Sequence, residues 1–191
     1  MHCPRKISLL RRGHLRSAKF VRSKTINMSK KNDTDKTNVM RVLDQKKINY
    51  RHHCYIREGE EPVTNGVEVA RLLGEDVNRV FKTLVTIGRS GQHYVFMIPV
   101  AEELDLKKAA AAVSEKSIEM IPQKELLPLT GYVHGGCSPI GMKKFFPTTV
   151  HASAKEFDTI LFSAGKIGYQ VELAASDLEK AIRLQYADLI K

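Results

Sequence analysis

The sequence has few cysteines and no cysteine spacing of the kind that a disulfide framework or a zinc site requires. The three cysteines are an odd number, lie far apart and include no C-x-x-C pair: Cys3, Cys54 and Cys137. This usage argues against a disulfide-stabilised secreted domain and against a zinc site of closely spaced thiolates. It favours a reducing compartment, so we expect a cytoplasmic protein.

Long hydrophobic runs are also absent, since no apolar stretch approaches the ~20 residues of a membrane-spanning helix. We therefore expect no membrane association. The chain has 191 residues, of which 42% are hydrophobic. This is enough for the core of one domain, with some length left over for an appendage.

Acidic residues are scarce only at the start of the chain. The net charge is +10, yet residues 1–38 hold eleven Lys or Arg against two Asp, whereas residues 39–191 hold twenty basic and nineteen acidic groups. A binding site for a polyanion within residues 39–191 must therefore come from a local cluster of basic side chains. Residues 1–36 show no sustained helical or strand periodicity, so we predict a disordered basic extension followed by one domain over residues 37–191.

Two explanations of the basic extension are open at this point. The segment MSKKNDTDK, which starts at Met28, resembles an ordinary cytosolic N-terminus and favours a simple upstream extension. Residues 1–27 are Arg-rich and contain no acidic residue, which is also typical of a transit peptide. We prefer the first explanation.

The rest of the chain alternates strand-like and helix-like segments that are joined by short links. Hydrophobic spacing predicts helices in TNVMRVLDQKKI, TNGVEVARLLGED, DLKKAAAAV, PQKELLPLTG and AKEFD, and a final helix that opens with a Ser176-x-x-Glu179 capping box. Strand-like runs occur in NYRHHCYI, TTVHAS, TILFSAG, YQVELA and the hairpin VFKTLVTIGRSGQHYVFMIPV. The order predicts an α+β fold with a mixed, largely antiparallel β-barrel or sheet flanked by helices.

Residues 130–150, TGYVHGGCSPIGMKKFFPTTV, hold four glycines and two prolines around Cys137 and Ser138. Glycine lets the main chain approach a ligand and proline fixes its curve, so the segment is typical of a loop that presents backbone amides. A nucleophile here needs a base within reach, and nothing in the sequence brings His134 to either side chain. We interpret Cys137 and Ser138 as small residues that fill a tight turn.

A lysine within an apolar strand is the other feature that points to chemistry. Lys82 lies in VFKTLVTIG, where an ammonium group that faces the interior needs an anion or hydrogen-bond partners. Strand alternation could equally turn Lys82 outward, and the sequence does not decide between the two. His52, His53 and Cys54 are adjacent on a predicted strand, so their side chains alternate between faces and do not share a metal readily.

Three separated motifs, FKTLV, TGYVHGGCSPIGMKK and FSAGKIGYQVEL, resemble in order and spacing the YbaK/EbsC family of aminoacyl-tRNA deacylases, which is related to the editing domain of prolyl-tRNA synthetases. The resemblance runs from about Val39 to Lys191 and implies a mixed β-barrel flanked by helices, with no cofactor. It implies that Lys82 and the glycines of the loop act in catalysis: Gly135 and Gly136. It also implies a set of substrate-binding residues: Tyr55, Phe81, Thr83, Ser138, Pro139, Ser163 and Gly165. Ala164 departs from the glycine of relatives.

The function that the resemblance implies is trans-editing, that is, hydrolysis of mischarged tRNA(Pro). A proline site rejects cysteine or alanine by only ~1–3 kcal/mol, so a second site must remove such products. Cys-tRNA(Pro) is the expected substrate and Ala-tRNA(Pro) is the alternative. The expected partners are the acceptor end of tRNA(Pro) and, as a hypothesis, prolyl-tRNA synthetase. A non-catalytic module that binds tRNA ends or a synthetase is also open.

Overall fold

The computed structural model describes residues 36–56, 59, 61 and 63–191. The predicted basic extension over residues 1–36 lies outside the described residues except for its last position. The boundary between extension and domain therefore stays a prediction. The described chain forms two β-sheets with short helices packed around them.

Eight strands are found in the described part of the chain, and most of them have four or more residues. They are β1 Arg51–Cys54, β2 Phe81–Gly88, β3 His93–Pro99, β4 Ile118–Met120, β5 Thr148–His151, β6 Ile160–Ser163, β7 Tyr169–Leu173 and β8 Leu184–Ala187. The α-helices are α1 Asn38–Gln45, α2 Gly66–Leu73, α3 Leu106–Ala112, α4 Gln123–Thr130 and α5 Ala175–Ala181. Two 3-10 helices cover Val77–Arg79 and Ala152–Glu156.

The two sheets differ in size and in strand direction. The smaller sheet is antiparallel, in the order β1-β7-β6. The larger sheet has the order β4-β2-β3-β5-β8, in which β5 runs parallel to both β3 and β8. An isolated bridge between Val80 and Leu161 connects the sheets. The predicted α+β fold with a mixed, largely antiparallel sheet is confirmed, and the described strands form two sheets rather than a closed barrel.

The helix boundaries follow local chemistry where the sequence carries a capping signal. The Asn65 side chain accepts hydrogen bonds from the amides of Val67 and Glu68 at the start of α2, and Gly74 ends that helix with φ +72°. The sequence TNGVEVARLLGED predicts a cap at Thr64 or Asn65 and a stop at Gly74, and the structure selects Asn65 and Gly74. Asparagine satisfies free N-terminal amides, and glycine adopts the left-handed conformation without steric strain.

The C-terminal part of the prediction is wrong in two respects. The N-cap residue of helix α5 is Ala174, two residues before the supposed cap, so the helix begins at Ala175 and Ser176 lies inside it. Burial of Ala175 and Leu178 against the core decides this boundary. The helix also ends at Ala181, and the strand β8 that follows was not predicted because its partner β5 is distant in sequence.

Candidate functional site

A cavity of about 380 Å³ lies beside β2, at the place where the two sheets diverge. β4 pairs with β2 only at residues 86–88, and β6 meets the start of β2 through the Val80–Leu161 bridge. Val80 and the first five residues of β2 border the cavity, together with the start of α2, the end of β4, part of α4 and the glycine loop. Six of the predicted site residues line it: Tyr55, Phe81, Lys82, Thr83, Gly135 and Ser163.

The structure decides the orientation of Lys82, which the sequence left open. The side chain is half-buried, lines the cavity and donates a hydrogen bond from Nζ to the main-chain oxygen of Val100 at 3.1 Å. Burial lowers the pKa of Lys82, and the nearby carboxylates of Glu103 and Glu102 partly oppose this change. Among the described residues, the hydrogen-bond partner of the ammonium group is therefore a neutral oxygen, which an anionic ligand can replace.

The glycine loop approaches the cavity through Gly135. This residue has φ +78°, and a Cβ atom there would lie 2.6 Å from Cγ2 of Thr64, so both the conformation and the space require glycine. Among the described residues, no acceptor is found for the amide of Gly135 or of Cys137. The amide of Gly136, in contrast, donates to the oxygen of Val133 at 3.0 Å. The catalytic roles of Gly135 and Gly136 stay predictions, and of these two amides that of Gly135 is the one without an acceptor in the described chain.

Cys137 lines the cavity but has the properties of an unreactive thiol. It is buried, and burial raises its pKa to about 12 although a hydrogen bond with Thr130 acts in the opposite direction. A thiol in this environment stays protonated and is a poor nucleophile. His134 is exposed at the edge of the cavity, and the described structure contains no hydrogen bond from it to Cys137 or Ser138. This agrees with the interpretation of both residues as turn fillers.

Three residues predicted to bind substrate lie outside the cavity lining. Ser138 is fully buried and its hydroxyl oxygen accepts a weak hydrogen bond from the amide of Ile140. Pro139 is also buried. A Cβ atom on Gly165 would come within 2.7 Å of Tyr132, so this glycine allows close packing. A role of Ser138, Pro139 and Gly165 in substrate binding stays a prediction, and in the structure they shape the loops that surround the cavity.

Sequence analysis missed Gln170, a buried polar residue of β7 that also lines the cavity. Gln170 is the cross-strand neighbour of Ser163 in the smaller sheet. Its Oε1 atom and the Oγ1 atom of Thr83 are buried, and neither has a hydrogen-bond partner. The available signal was a glutamine within the otherwise strand-like run YQVEL.

A second, wider groove of about 880 Å³ is lined by residues that include Arg79 and Glu172, which form an ion pair. The carboxylate of Glu172 accepts hydrogen bonds from Arg79 at 2.6 Å, from Thr159 at 2.6 Å and from His53 at 2.8 Å. The network thus links β1, β7 and the 3-10 helix that precedes β2, which is a structural role.

The described residues contain no cluster of three or more His, Cys, Asp or Glu that could hold a metal ion. Within the same part of the chain, none of the helices has the length and apolar character needed to cross a membrane.

Both the sequence and the fold are similar to those of known proteins. The profile of the aminoacyl-tRNA editing domain matches residues 60–181, which is more than half of the chain. The chain belongs to the aminoacyl-tRNA editing domain family. It is 43% identical over 162 residues to EbsC of Enterococcus faecalis, which is provisionally named a Cys-tRNA(Pro)/Cys-tRNA(Cys) deacylase. The alignment covers 85% of this chain and 98% of EbsC.

Two further relatives agree with this membership. A proline–tRNA ligase of Thermosipho melanesiensis is 31% identical over 75 residues, which is 39% of this editing-domain chain and 13% of the ligase. A solved structure, described as a provisional trans-editing enzyme for prolyl-tRNA synthetase, superimposes on this chain with a TM-score of 0.70 at 22% sequence identity. The superposition covers 81% of this chain and 95% of the solved chain. The similarity to this solved structure shows that the two proteins share a fold. The family resemblance of the three sequence motifs is confirmed.

Proposed function

We propose that this editing-domain protein is a freestanding deacylase that hydrolyses mischarged tRNA(Pro), with Cys-tRNA(Pro) as its main substrate. The observation that carries the proposal is the cavity beside β2, where a half-buried Lys82 and the Gly135 main chain meet in a member of this family. The provisional name of the 43% identical relative supports the same substrate class.

The reaction breaks the ester bond between the amino acid and the ribose of the terminal nucleotide. A nucleophile attacks the carbonyl carbon, negative charge develops on the carbonyl oxygen, and the ribose oxygen leaves with a proton. In this proposal the amides of Gly135 and Cys137 receive the developing charge, because preorganised amides stabilise such a transition state. Lys82 releases the oxygen of Val100 and binds a phosphate or ribose oxygen of the tRNA end.

The protein itself supplies no nucleophile in this mechanism. The Cys137 thiol is protonated at neutral pH because burial raises its pKa to about 12, and Ser138 is fully buried. The attacking group is therefore water or the thiol of the substrate cysteine. The two cases differ in one respect, since only attack by the thiol makes hydrolysis depend on a cysteinyl side chain.

Selection of tRNA(Pro) is proposed to depend on prolyl-tRNA synthetase as a partner. Residues 39–191 carry nearly equal numbers of basic and acidic groups, so the proposed catalytic domain, residues 37–191, has little net attraction for a polyanion. Deacylation of Cys-tRNA(Pro) and Cys-tRNA(Cys) in the presence and absence of the synthetase tests this point. Equal selectivity in both conditions would argue against a role of the synthetase.

The function is tested with the purified full chain and three substrates: Cys-tRNA(Pro), Ala-tRNA(Pro) and Pro-tRNA(Pro). We expect rapid loss of the cysteinyl ester and little loss of the prolyl ester. Loss of the alanyl ester at a comparable rate would shift the substrate to Ala-tRNA(Pro) and would exclude an obligatory substrate thiol. Stability of all three esters would overturn the deacylase function and favour a module that only binds tRNA ends.

A further inference from the structure

We infer that Met120 and Gln123 bind the adenine base of the terminal nucleotide of tRNA, at the mouth of the cavity. This inference rests on the proposed deacylase function and deepens it, because it assigns a base-binding surface to the same site. It starts from the residues that line the cavity, whose exposure distinguishes the interior of the cavity from its mouth.

The mouth of the cavity is marked by the lining residues that solvent also reaches. In the described part of the chain most lining residues are buried or half-buried, and the exposed ones are Thr64, Met120, Gln123 and His134. An aminoacyl ester has to enter with its amino acid first, because the other end is joined to the rest of the tRNA. The nucleotide that carries the ester therefore stays among the residues of the mouth.

One side of the mouth already belongs to the proposed ester and phosphate contacts. A Cβ atom on Gly135 would lie 2.6 Å from Cγ2 of Thr64, so Thr64 packs directly against the glycine loop. A Cβ atom on Gly66 would lie 2.5 Å from the side chain of Val100, whose main-chain oxygen accepts the hydrogen bond from Lys82. These contacts connect Gly135 and Lys82 through the start of α2, and the base is left with the other side of the mouth.

Met120 and Gln123 form that other side. Met120 is the last residue of β4 and pairs with Thr86, which lies four residues after Lys82 on β2. Because a strand rises 3.2–3.4 Å per residue, the Cα atoms of Lys82 and Thr86 are roughly 13 Å apart. Gln123 begins α4, three residues after Met120. A single nucleotide bridges a separation of this order, so a phosphate oxygen at Lys82 brings the base to Met120 and Gln123.

Met120 supplies an apolar surface for the rings of the base. It is 47% exposed, and of the large hydrophobic residues that are exposed in the described chain it is the one that lines the cavity. A thioether is polarisable and makes favourable contacts with aromatic rings. The unpaired bases of an RNA end are bound in proteins through such contacts with their ring faces.

Gln123 supplies the hydrogen bonds that match adenine. Its side chain is exposed at the mouth and carries both a carbonyl acceptor and an amide donor. Adenine presents its N6 amino group as a donor beside a ring nitrogen that accepts, and glutamine pairs with both atoms at once. Since every mature tRNA ends in adenosine, this contact binds a feature that all tRNA esters share. It adds affinity for the tRNA end and leaves the choice among tRNAs to other contacts.

The test compares Cys-tRNA(Pro) that ends in adenosine with Cys-tRNA(Pro) that ends in purine riboside. The second nucleoside keeps both rings and lacks the N6 amino group. Each enzymatic rate is divided by the spontaneous hydrolysis rate of the same ester, so that intrinsic reactivity cancels. For the wild-type chain, we expect the normalised kcat/KM of the purine riboside ester to be at least about fivefold lower.

Variants connect this difference to the two residues. Gln123→Met keeps the approximate side-chain size and removes the amide, so it should lower kcat/KM for the adenosine ester by about fivefold and leave the purine riboside ester nearly unchanged. Met120→Ala should raise KM for both esters with little change in kcat, because the apolar contact is the same in the ground state and in the transition state. The matched control is Gln92→Met, at an exposed glutamine between β2 and β3 that does not line the cavity. It should change neither rate.

The outcomes separate this inference from the function on which it rests. Equal normalised hydrolysis of both esters by the wild-type chain would overturn the recognition of adenine and leave the deacylase function intact. Equal losses on both esters in Gln123→Met, or an unchanged KM in Met120→Ala, would also overturn the inference. Failure of the wild-type chain to hydrolyse either ester would overturn the proposed function and this inference together.

Discussion

Replacement of Lys82 by alanine should damage this protein's activity more than any other single side-chain truncation. In the free protein the Lys82 ammonium group donates to the main-chain oxygen of Val100 and is half-buried beside the cavity. In the proposed complex the same group binds a phosphate or ribose oxygen of the tRNA end. Lys82→Ala removes this contact and also loosens the position of the ester relative to Gly135.

The size of the effect follows from the type of bond that is lost. A hydrogen bond to a charged group contributes ~1.5–3 kcal/mol, which corresponds to a loss of about 10- to 150-fold in kcat/KM before the effect on ester position is added. Lys82→Arg keeps the charge but replaces a compact ammonium with a planar guanidinium, so it should restore little activity in a narrow site. Stability should change little, because removal of a partly desolvated charge offsets the loss of the bond to Val100.

The assay measures loss of the cysteinyl ester from Cys-tRNA(Pro), with thermal melting to check that each variant is folded. Lys107→Ala is a matched control, since Lys107 is an exposed residue of α3 and its loss changes the net charge by the same amount. Activity of Lys82→Ala near that of the control would refute the role of Lys82. A folded Lys82→Arg variant with full activity would refute the requirement for a compact ammonium group.

Four further predictions concern the rest of the chain. Cys137→Ala should reduce deacylation by less than about tenfold, and an acyl-Cys137 intermediate in mass spectrometry would contradict this. Removal of residues 1–36 should leave kcat nearly unchanged and flatten the salt dependence of KM, whereas a collapse of kcat in a folded truncation would contradict the predicted boundary. Gly165→Ala should lower the melting temperature, since φ is +82° there and the new Cβ would meet Tyr132, and an unchanged melting temperature would show that this packing can adjust. Burial acts to raise the pKa of Glu172, but hydrogen bonds from partners that include Arg79 outweigh burial, so the pKa is lowered in the folded protein. The stability that this carboxylate contributes is therefore lost as the pH falls through its folded-state pKa. Glu172→Gln should therefore reduce the slope of melting temperature against pH on the acid side. An unchanged slope would show that other titrating groups cause the loss of stability at low pH.

Local patterns in the sequence predicted much of the fold because those signals act over short distances. The β2–β3 hairpin, helix α2 with its Asn65 cap and Gly74 stop, and the strands β6 and β7 all lie where hydrophobic period and turn residues indicated them. Strands β4 and β8 were missed, since each is short and depends on pairing with a strand that is distant in the chain. The capping box at Ser176 was wrong because burial of Leu178 against the core set the start of α5.

The sequence by itself determined the family, through three motifs whose order and spacing are specific, and it identified Lys82 and the glycine loop as the candidates for chemistry. The tertiary structure alone decided which atoms are available at the cavity. It assigned the Gly136 amide to the main-chain oxygen of Val133 and the Lys82 ammonium group to that of Val100. Hydrogen-bond partners are chosen in three dimensions, among groups that are far apart in the chain, so no local pattern encodes which of them stay free for a ligand.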